Sequence, residues 1–313
     1  MSSLSIVDTH TLESVREFGI SLFLFTKSDI KTTLIPIASS TLFGSCEKKK
    51  LTIFSFDKAI GGVVAAPVSS FRNFVEEFLW IWLHLLQFTT SNQSCSLTAV
   101  AEDSDNKPDR PIPSGRMTLQ QARILRWLLV PLCLGMSYKF STSVLAASMA
   151  VIFITIWYNE LGGSGNQGVI TRNLLNGLGF GSFEAGAILL AGRDRTKFNL
   201  IATDAIILTI AIYATTTHTQ DFKDVEGDSK FNRSTVPLVY PRIARPSVLF
   251  GLVAWSLILA HIWKLHFAAS VIMCALGIFV GVRFCRKEGK RNDQISFYCY
   301  GFPSSMRYQD GII

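Results

Sequence analysis

Two clusters of acidic side chains, each following a long apolar run, are the residues of this chain best equipped for chemistry. The sharper one is Asp221-Phe-Lys-Asp224-Val-Glu-Gly-Asp228, which follows the apolar run 198–213 and a polar turn at 215–220. Aspartates at i, i+3 and i+7 fall on one face of a helix. Such hard oxygen donors suit Mg²⁺, which takes a few carboxylates together with the oxygens of a substrate phosphate. Acids at the end of a membrane helix are costly and mark functional sites. The competing reading is a solvated loop that merely carries charge.

The second cluster follows the apolar run 74–88. It begins at Asn92-Gln93 and continues as Glu102-Asp103-Ser-Asp105-Asn106-Lys107-Pro108-Asp109-Arg110-Pro111. Both clusters leave the ends of apolar runs, and so emerge on one face of a bundle. Carboxylates brought together repel one another, and divalent cations bridging to an anion relieve that repulsion. Lys107, Arg110, Lys223 and Arg233 can add charge-assisted hydrogen bonds to the same anion. Acids, metals and bases around a polyanion at a membrane face suggest a lipid diphosphate.

The elements that hold these clusters are membrane helices. Only 17% of the 313 residues are charged and 49% are hydrophobic, against roughly 25% charged in a soluble domain. The mean hydropathy is +0.32, so a single polytopic membrane domain covering 1–313 is expected. Basic loops beside a bilayer account for the net charge of +7. No block of Lys and Arg interleaved with aromatics suggests a nucleic-acid groove, and no protein partner is implied. The six cysteines show no C-x-x-C spacing and read as packing residues. The five histidines are scattered, which argues against a histidine metal site.

Apolar runs predict about eight membrane helices: 20–46, with a polar interruption at 26–31, then 74–88, 124–138, 143–158, 174–191, 198–213, 248–263 and 267–282. With their flanks, each approaches the roughly 20 residues that span a bilayer. Backbone groups must be paired in lipid and no barrel pattern is present, so the fold class is an all-α transmembrane bundle. Residues 1–16 are polar, read as no signal peptide, and are expected to be disordered. Residues 47–50 form a charged turn, and 51–72 support no firm assignment. Gly177, Gly179, Gly181 and Gly186 lie in one helix, where small residues allow close helix contact. Eight spans place the N-terminus, the loops 92–123, 159–172 and 217–246 and the tail on one side. That side carries about twice the Lys and Arg of the other, which orients it to the cytosol. Asn92-Gln-Ser and Asn232-Arg-Ser match the glycosylation pattern but lie on that side, so they are chance matches.

The motifs resemble a known family. Asn92-Gln93, Glu102-Asp103, Asn106-Lys107-Pro108 and Arg110-Pro111, followed by Asp221, Asp224, Gly227 and Asp228, are similar to the two aspartate-rich motifs of the UbiA prenyltransferase superfamily. Arg233-Ser-Thr235-Val-Pro237 resembles the segment that follows its second motif. The likeness runs from about residue 27 to about 299. It implies nine transmembrane helices around a cavity that opens at the cytosolic motif face, and binding of polyprenyl diphosphates through Mg²⁺. Tyr158-Asn159-Glu160-Leu161-Gly162-Gly163, Arg172-Asn173, Asn176 and the turn before Asp221 look like fungal UbiA-type membrane terpene cyclases. Those enzymes cyclise farnesyl diphosphate, in secondary metabolism, without an aromatic acceptor. Two features depart from the pattern. Asn92 and Asp103 are eleven residues apart with no acid at 95–99, and the tail 296–313 does not read as a ninth helix.

The resemblance implies that Asn92, Glu102, Asp103, Asp221, Asp224 and Asp228 hold Mg²⁺ on the diphosphate of a C15 allylic substrate. Asn106, Lys107, Arg110, Arg172, Lys223 and Arg233 are then its polar contacts, and Tyr158, Phe180 and Phe183 line the cavity for the cation. Asn106 can equally order its loop by capping a helix. Glu160 and His218 are candidate proton acceptors or ordinary satisfied polar residues. An endoplasmic-reticulum membrane is the expected location. Two alternatives stay open: prenyl transfer to an aromatic or polyketide acceptor, and a catalytically degenerate membrane paralogue. A transporter fits less well, because the acids gather at one face and not at the midplane.

Overall fold

Apolar runs flanked by short polar caps fold here into long helices. The computed structural model describes residues 3–42, 70–165 and 167–301. The chain begins with α1 (Ser3–Asp29), passes through a π-helical turn (Ile30–Leu34) and continues as α2 (Ile35–Leu42). Residues 3–16, expected from their polarity to be disordered, form the first half of α1. The expected turn at 47–50, the unassigned stretch 51–69 and the end of the first apolar run lie outside the described residues.

Helix α3 (Phe71–Ser94) starts where Ser70 accepts a hydrogen bond from the backbone of Asn73. Helix α4 (Leu97–Asn106) is capped in the same way by Ser96. Helix α5 (Leu119–Tyr138) opens with a capping box, in which Thr118 and Gln121 satisfy each other's backbone groups. Ser141 caps α6 (Thr142–Asn159), and α7 (Val169–Ala191) follows after Gly168. Asn199 caps α8 (Leu200–Thr216). Two short 3₁₀ turns (Thr217–Gln220, Phe222–Asp224) lead into α9 (Val225–Lys230), then α10 (Val236–Val239). The chain continues as α11 (Pro241–Ile262), α12 (Phe267–Arg286) and α13 (Lys290–Gly301).

Helices occupy the described parts of all eight apolar runs, and no strand occurs among the described residues. Five of them are long and apolar enough to cross a membrane by length and composition. The outward faces of the bundle carry large exposed side chains, such as Phe250 at 77% and Phe153 at 60%. Apolar surface of that extent marks a face that meets lipid. The protein is an integral membrane helical bundle.

Packing falls into two main cores. Trp80, Ile81, Leu85, Val151, Phe183 and Leu189 join α3, α6 and α7. On the other side, Ile212, Val248, Leu252, Met273 and Phe284 join α8, α11 and α12. Small residues let α7 approach its neighbours closely. A Cβ on Gly177 would lie 2.5 Å from the Ile210 carbonyl of α8, and one on Gly186 would enter the Trp80 ring of α3. Gly179 differs from both: a Cβ there meets only Ile154, at 3.8 Å, and the residue borders a cavity.

Helix α13 takes in residues 296–301, the start of a tail whose composition does not read as a helix; the rest of the tail lies outside the described residues. Its anchor is electrostatic. Arg245 of α11 holds both carboxylate oxygens of Asp293, at 2.8 and 3.0 Å, and also bonds the Phe284 carbonyl. Tyr300 shares a 2.8 Å hydrogen bond with Thr216 at the end of α8. A modest apolar content hid this helix from a hydropathy reading.

Candidate active site

The two acidic stretches meet across one cavity of about 330 Å³. From the first stretch, Asn92, Glu102, Asp103, Asn106, Lys107 and Arg110 line it; from the second, Asp221, Lys223, Asp224 and Arg233. Tyr158 of α6 and Arg172 of α7 complete the polar end. Ser28 and Asp29, from the polar interruption near the start of the chain, border the same space.

Arg172 is the centre of the polar end. Its guanidinium donates to Asp221 at 2.7 and 3.5 Å, to the Tyr158 hydroxyl at 2.7 Å and to the Ser164 carbonyl. Arg110 donates to Asp103 at 2.6 Å, and both are buried. Arg233 lies 3.2 Å from Glu102 and 3.5 Å from Asp228, so one cation ties the first acidic stretch to the second. Asn92 donates to Asn159 at 2.9 Å, and Asn159 in turn to the Thr155 carbonyl. Asn106 accepts from Lys290 at 3.5 Å, and its amide lies 2.6 Å from where a Cβ on Gly227 would fall, so the two acidic stretches pack closely there. Burial pushes the Glu102 carboxyl above its usual range, against the pull of Arg233. Burial, with Arg110 nearby, lowers the Lys107 ammonium.

Asp228 departs from the expected single helical face. In a 3₁₀ turn, residues i and i+3 eclipse, so Asp221 and Asp224 share the cavity side. The chain changes to α-helical winding only at Val225. Asp228 does not line the cavity: it faces Arg233 and leaves Oδ2 buried without a hydrogen-bond partner.

The donor set fits a hard divalent cation in chemistry. Asp103, Asp221, Asp224, Glu102 and Asn92 offer oxygen to one space. Among the described residues, however, no three His, Cys, Asp or Glu side chains are gathered closely enough to hold a metal by themselves. Asp103, Asp221 and Glu102 are instead matched to arginines. A metal here would need oxygens from a phosphate ligand, which is how Mg²⁺ commonly binds.

Below the polar end the wall becomes apolar and aromatic: Leu85, Phe88, Val151, Leu175, Phe180, Phe183 and Tyr213. Phe180 and Tyr213 stack with centroids 3.8 Å apart. Glu160 and His218 face elsewhere. Glu160 pairs with Arg126 at 2.7 Å, and His218 bonds Ser247 and the Ala244 carbonyl; neither lines the cavity. Sequence reasoning missed several lining residues, among them Thr89, Glu184, Thr209 and Tyr300. For Glu184 a signal was present, since it is the one acid inside the apolar run 174–191.

The fold and the cavity define an integral membrane protein whose ligand site is charged at one end and apolar at the other. The chain belongs to the UbiA prenyltransferase family, whose model matches residues 59–306. It is 31% identical to the fumagillin beta-trans-bergamotene synthase of Aspergillus fumigatus, over 90% of this chain and 88% of that protein. It is also 31% identical to a diterpene cyclase of Hericium erinaceus (75% and 74% covered), and 29% identical to a polyprenyl transferase of the same species (72% and 76%). A UbiA homologue from Archaeoglobus fulgidus bound to GPP and Mg²⁺ has the same fold, with a TM-score of 0.59 and 16% identity over 90% of this chain and 98% of that one. The protein is an enzyme of the terpene cyclase or prenyltransferase type.

Proposed function

We propose that this protein is an Mg²⁺-dependent terpene cyclase that ionises farnesyl diphosphate and closes the C15 chain to a sesquiterpene for secondary metabolism. The observation that carries the reading is the single cavity with chemically opposite ends. The polar end gathers Arg172, Arg110, Lys107, Lys223 and Arg233, donors suited to phosphate oxygens, beside acids that a divalent cation would bridge to the same anion. The apolar end descends along α7 from Arg172 to Phe183, eleven residues or about 17 Å of helix. A prenyl diphosphate has this same polarity.

Mg²⁺, held by Asp221, Asp224, Asp103 and Asn92 with Glu102 beside them, would supply Lewis-acid stabilisation to the leaving diphosphate. The chain's own cations contribute to the same end. Arg172, Lys107 and Lys223 stand where negative charge grows as the C–O bond breaks. Phe180 and Tyr213, a stacked pair that lines the cavity, offer aromatic surface to the allyl cation. The apolar wall excludes water that would otherwise quench it. Asp228 acts through Arg233 and not at the diphosphate. The acidic loops face the cytosol from an endoplasmic-reticulum membrane.

Prenyl transfer is the second reading, favoured by the likeness to the Hericium polyprenyl transferase. Both reactions share ionisation and differ in what captures the cation. Purified protein with farnesyl diphosphate and Mg²⁺ alone separates them. A volatile hydrocarbon supports cyclisation. Turnover only after an aromatic acceptor is added would replace it with transfer.

A further inference from the structure

Helix α7 carries four different chemistries at four-residue intervals: Arg172, Asn176, Phe180 and Glu184, and all four line the cavity. Arg172 belongs to the polar end and Phe180 to the aromatic middle. Glu184 lies twelve residues beyond Arg172, about 18 Å along the helix axis. Phe183 beside it also lines the cavity, as do Ile37, Leu85, Val151 and Thr209 from other elements. Glu184 is only 5% exposed and sits inside a membrane-crossing helix. An ionisable group at that depth is expensive and marks function.

From this placement we infer that Glu184 is the base that ends the reaction at the far end of the cavity, and so fixes the position of the last double bond. The inference rests on the cyclase reading above. Ionisation at the polar end leaves a cation that moves along the chain as π bonds close rings. When the charge reaches carbons near Glu184, a C–H bond beside it breaks. Its electron pair becomes the new C=C bond, and the proton passes to a Glu184 carboxylate oxygen. The carbon skeleton leaves as a neutral hydrocarbon, and one proton and one diphosphate are released per turnover. Glu160 and His218 are not placed for this step, because neither lines the cavity.

The test compares the intact protein with Glu184→Gln and Glu184→Asp in the same lipid nanodiscs, with farnesyl diphosphate and Mg²⁺. Released diphosphate and organic products are measured from one reaction, and folding is checked by size-exclusion profile. In Glu184→Gln the ratio of hydrocarbon to diphosphate is expected to fall at least tenfold, with the balance appearing as water-captured alcohols. Glu184→Asp, whose acid is one methylene shorter, is expected to give a hydrocarbon mixture with shifted double bonds. An unchanged product mixture from either folded variant overturns the assignment, and if the glutamine variant does not fold the aspartate variant decides. Intact protein that releases no diphosphate, or releases it only with an acceptor, overturns the cyclase reading and this inference with it.

Discussion

Replacing Arg172 with leucine removes one guanidinium and strands several partners at once. Asp221 loses both hydrogen bonds from that side chain, and the Tyr158 hydroxyl and Ser164 carbonyl lose one each. Asp221 is buried, so its charge is left uncompensated, which costs about 3–5 kcal/mol in measured cases. At about 2 °C per kcal/mol for a chain of this size, the melting temperature in detergent should drop roughly 6–10 °C. Exchanging both partners for apolar residues is far milder than breaking the pair. The double variant Arg172→Leu/Asp221→Leu should therefore recover most of the lost stability. Catalysis should not follow. Loss of a donor to developing charge costs about 10²–10³ in rate, and diphosphate release should remain at least that much below the intact protein in both variants. A double variant as unstable as the sum of its two single variants would refute the pairing as the source of the effect. Recovered activity would refute Arg172 as a partner of the leaving group.

Other expectations follow from particular contacts. Asp293→Ala should unseat α13 from Arg245, costing about 1.5–3 kcal/mol for the lost charge-assisted hydrogen bonds, since the partly exposed Arg245 keeps the Phe284 carbonyl, and protease cutting near residues 287–301 would report it. Gly177→Val should force α7 away from α8 and lower stability by about 1–3 kcal/mol, read as a melting shift; an unchanged melting point would contradict the close approach. Glu160→Gln, outside the cavity, keeps an amide oxygen for Arg126 and should release diphosphate within about threefold of the intact protein. A loss of about a hundredfold there would return Glu160 to the chemistry.

The architecture was legible because lipid imposes a length. Apolar runs near 20 residues translate directly into long helices, and polar caps such as Ser70, Ser96 and Thr118 mark where helices begin. The polar end of the site was legible for a similar reason, since clustered acids and bases at run ends have few other uses. Less visible was what depends on packing. That Asp221 and Asp224 line the cavity while Asp228 turns to Arg233 depends on how the short turns 217–230 pack, which spacing alone does not give. Helix α13 escaped because its order comes from the Arg245–Asp293 pair and the Tyr300–Thr216 bond, contacts between residues far apart in the chain. The partners of Asn92 and Arg233 were hidden for the same reason. Glu184 was visible as a letter, but its depth in the cavity required the packed bundle.

The most direct measurement is diphosphate release from farnesyl diphosphate by the purified protein, with and without Mg²⁺, alongside Asp224→Ala. The expected result is release coupled to a sesquiterpene hydrocarbon, abolished by chelation with EDTA and reduced roughly a hundredfold or more in the variant, as loss of a metal-binding carboxylate on the cavity wall requires. Release that persists in EDTA, or an Asp224→Ala protein as active as the intact one, would contradict ionisation at the acidic end of the cavity.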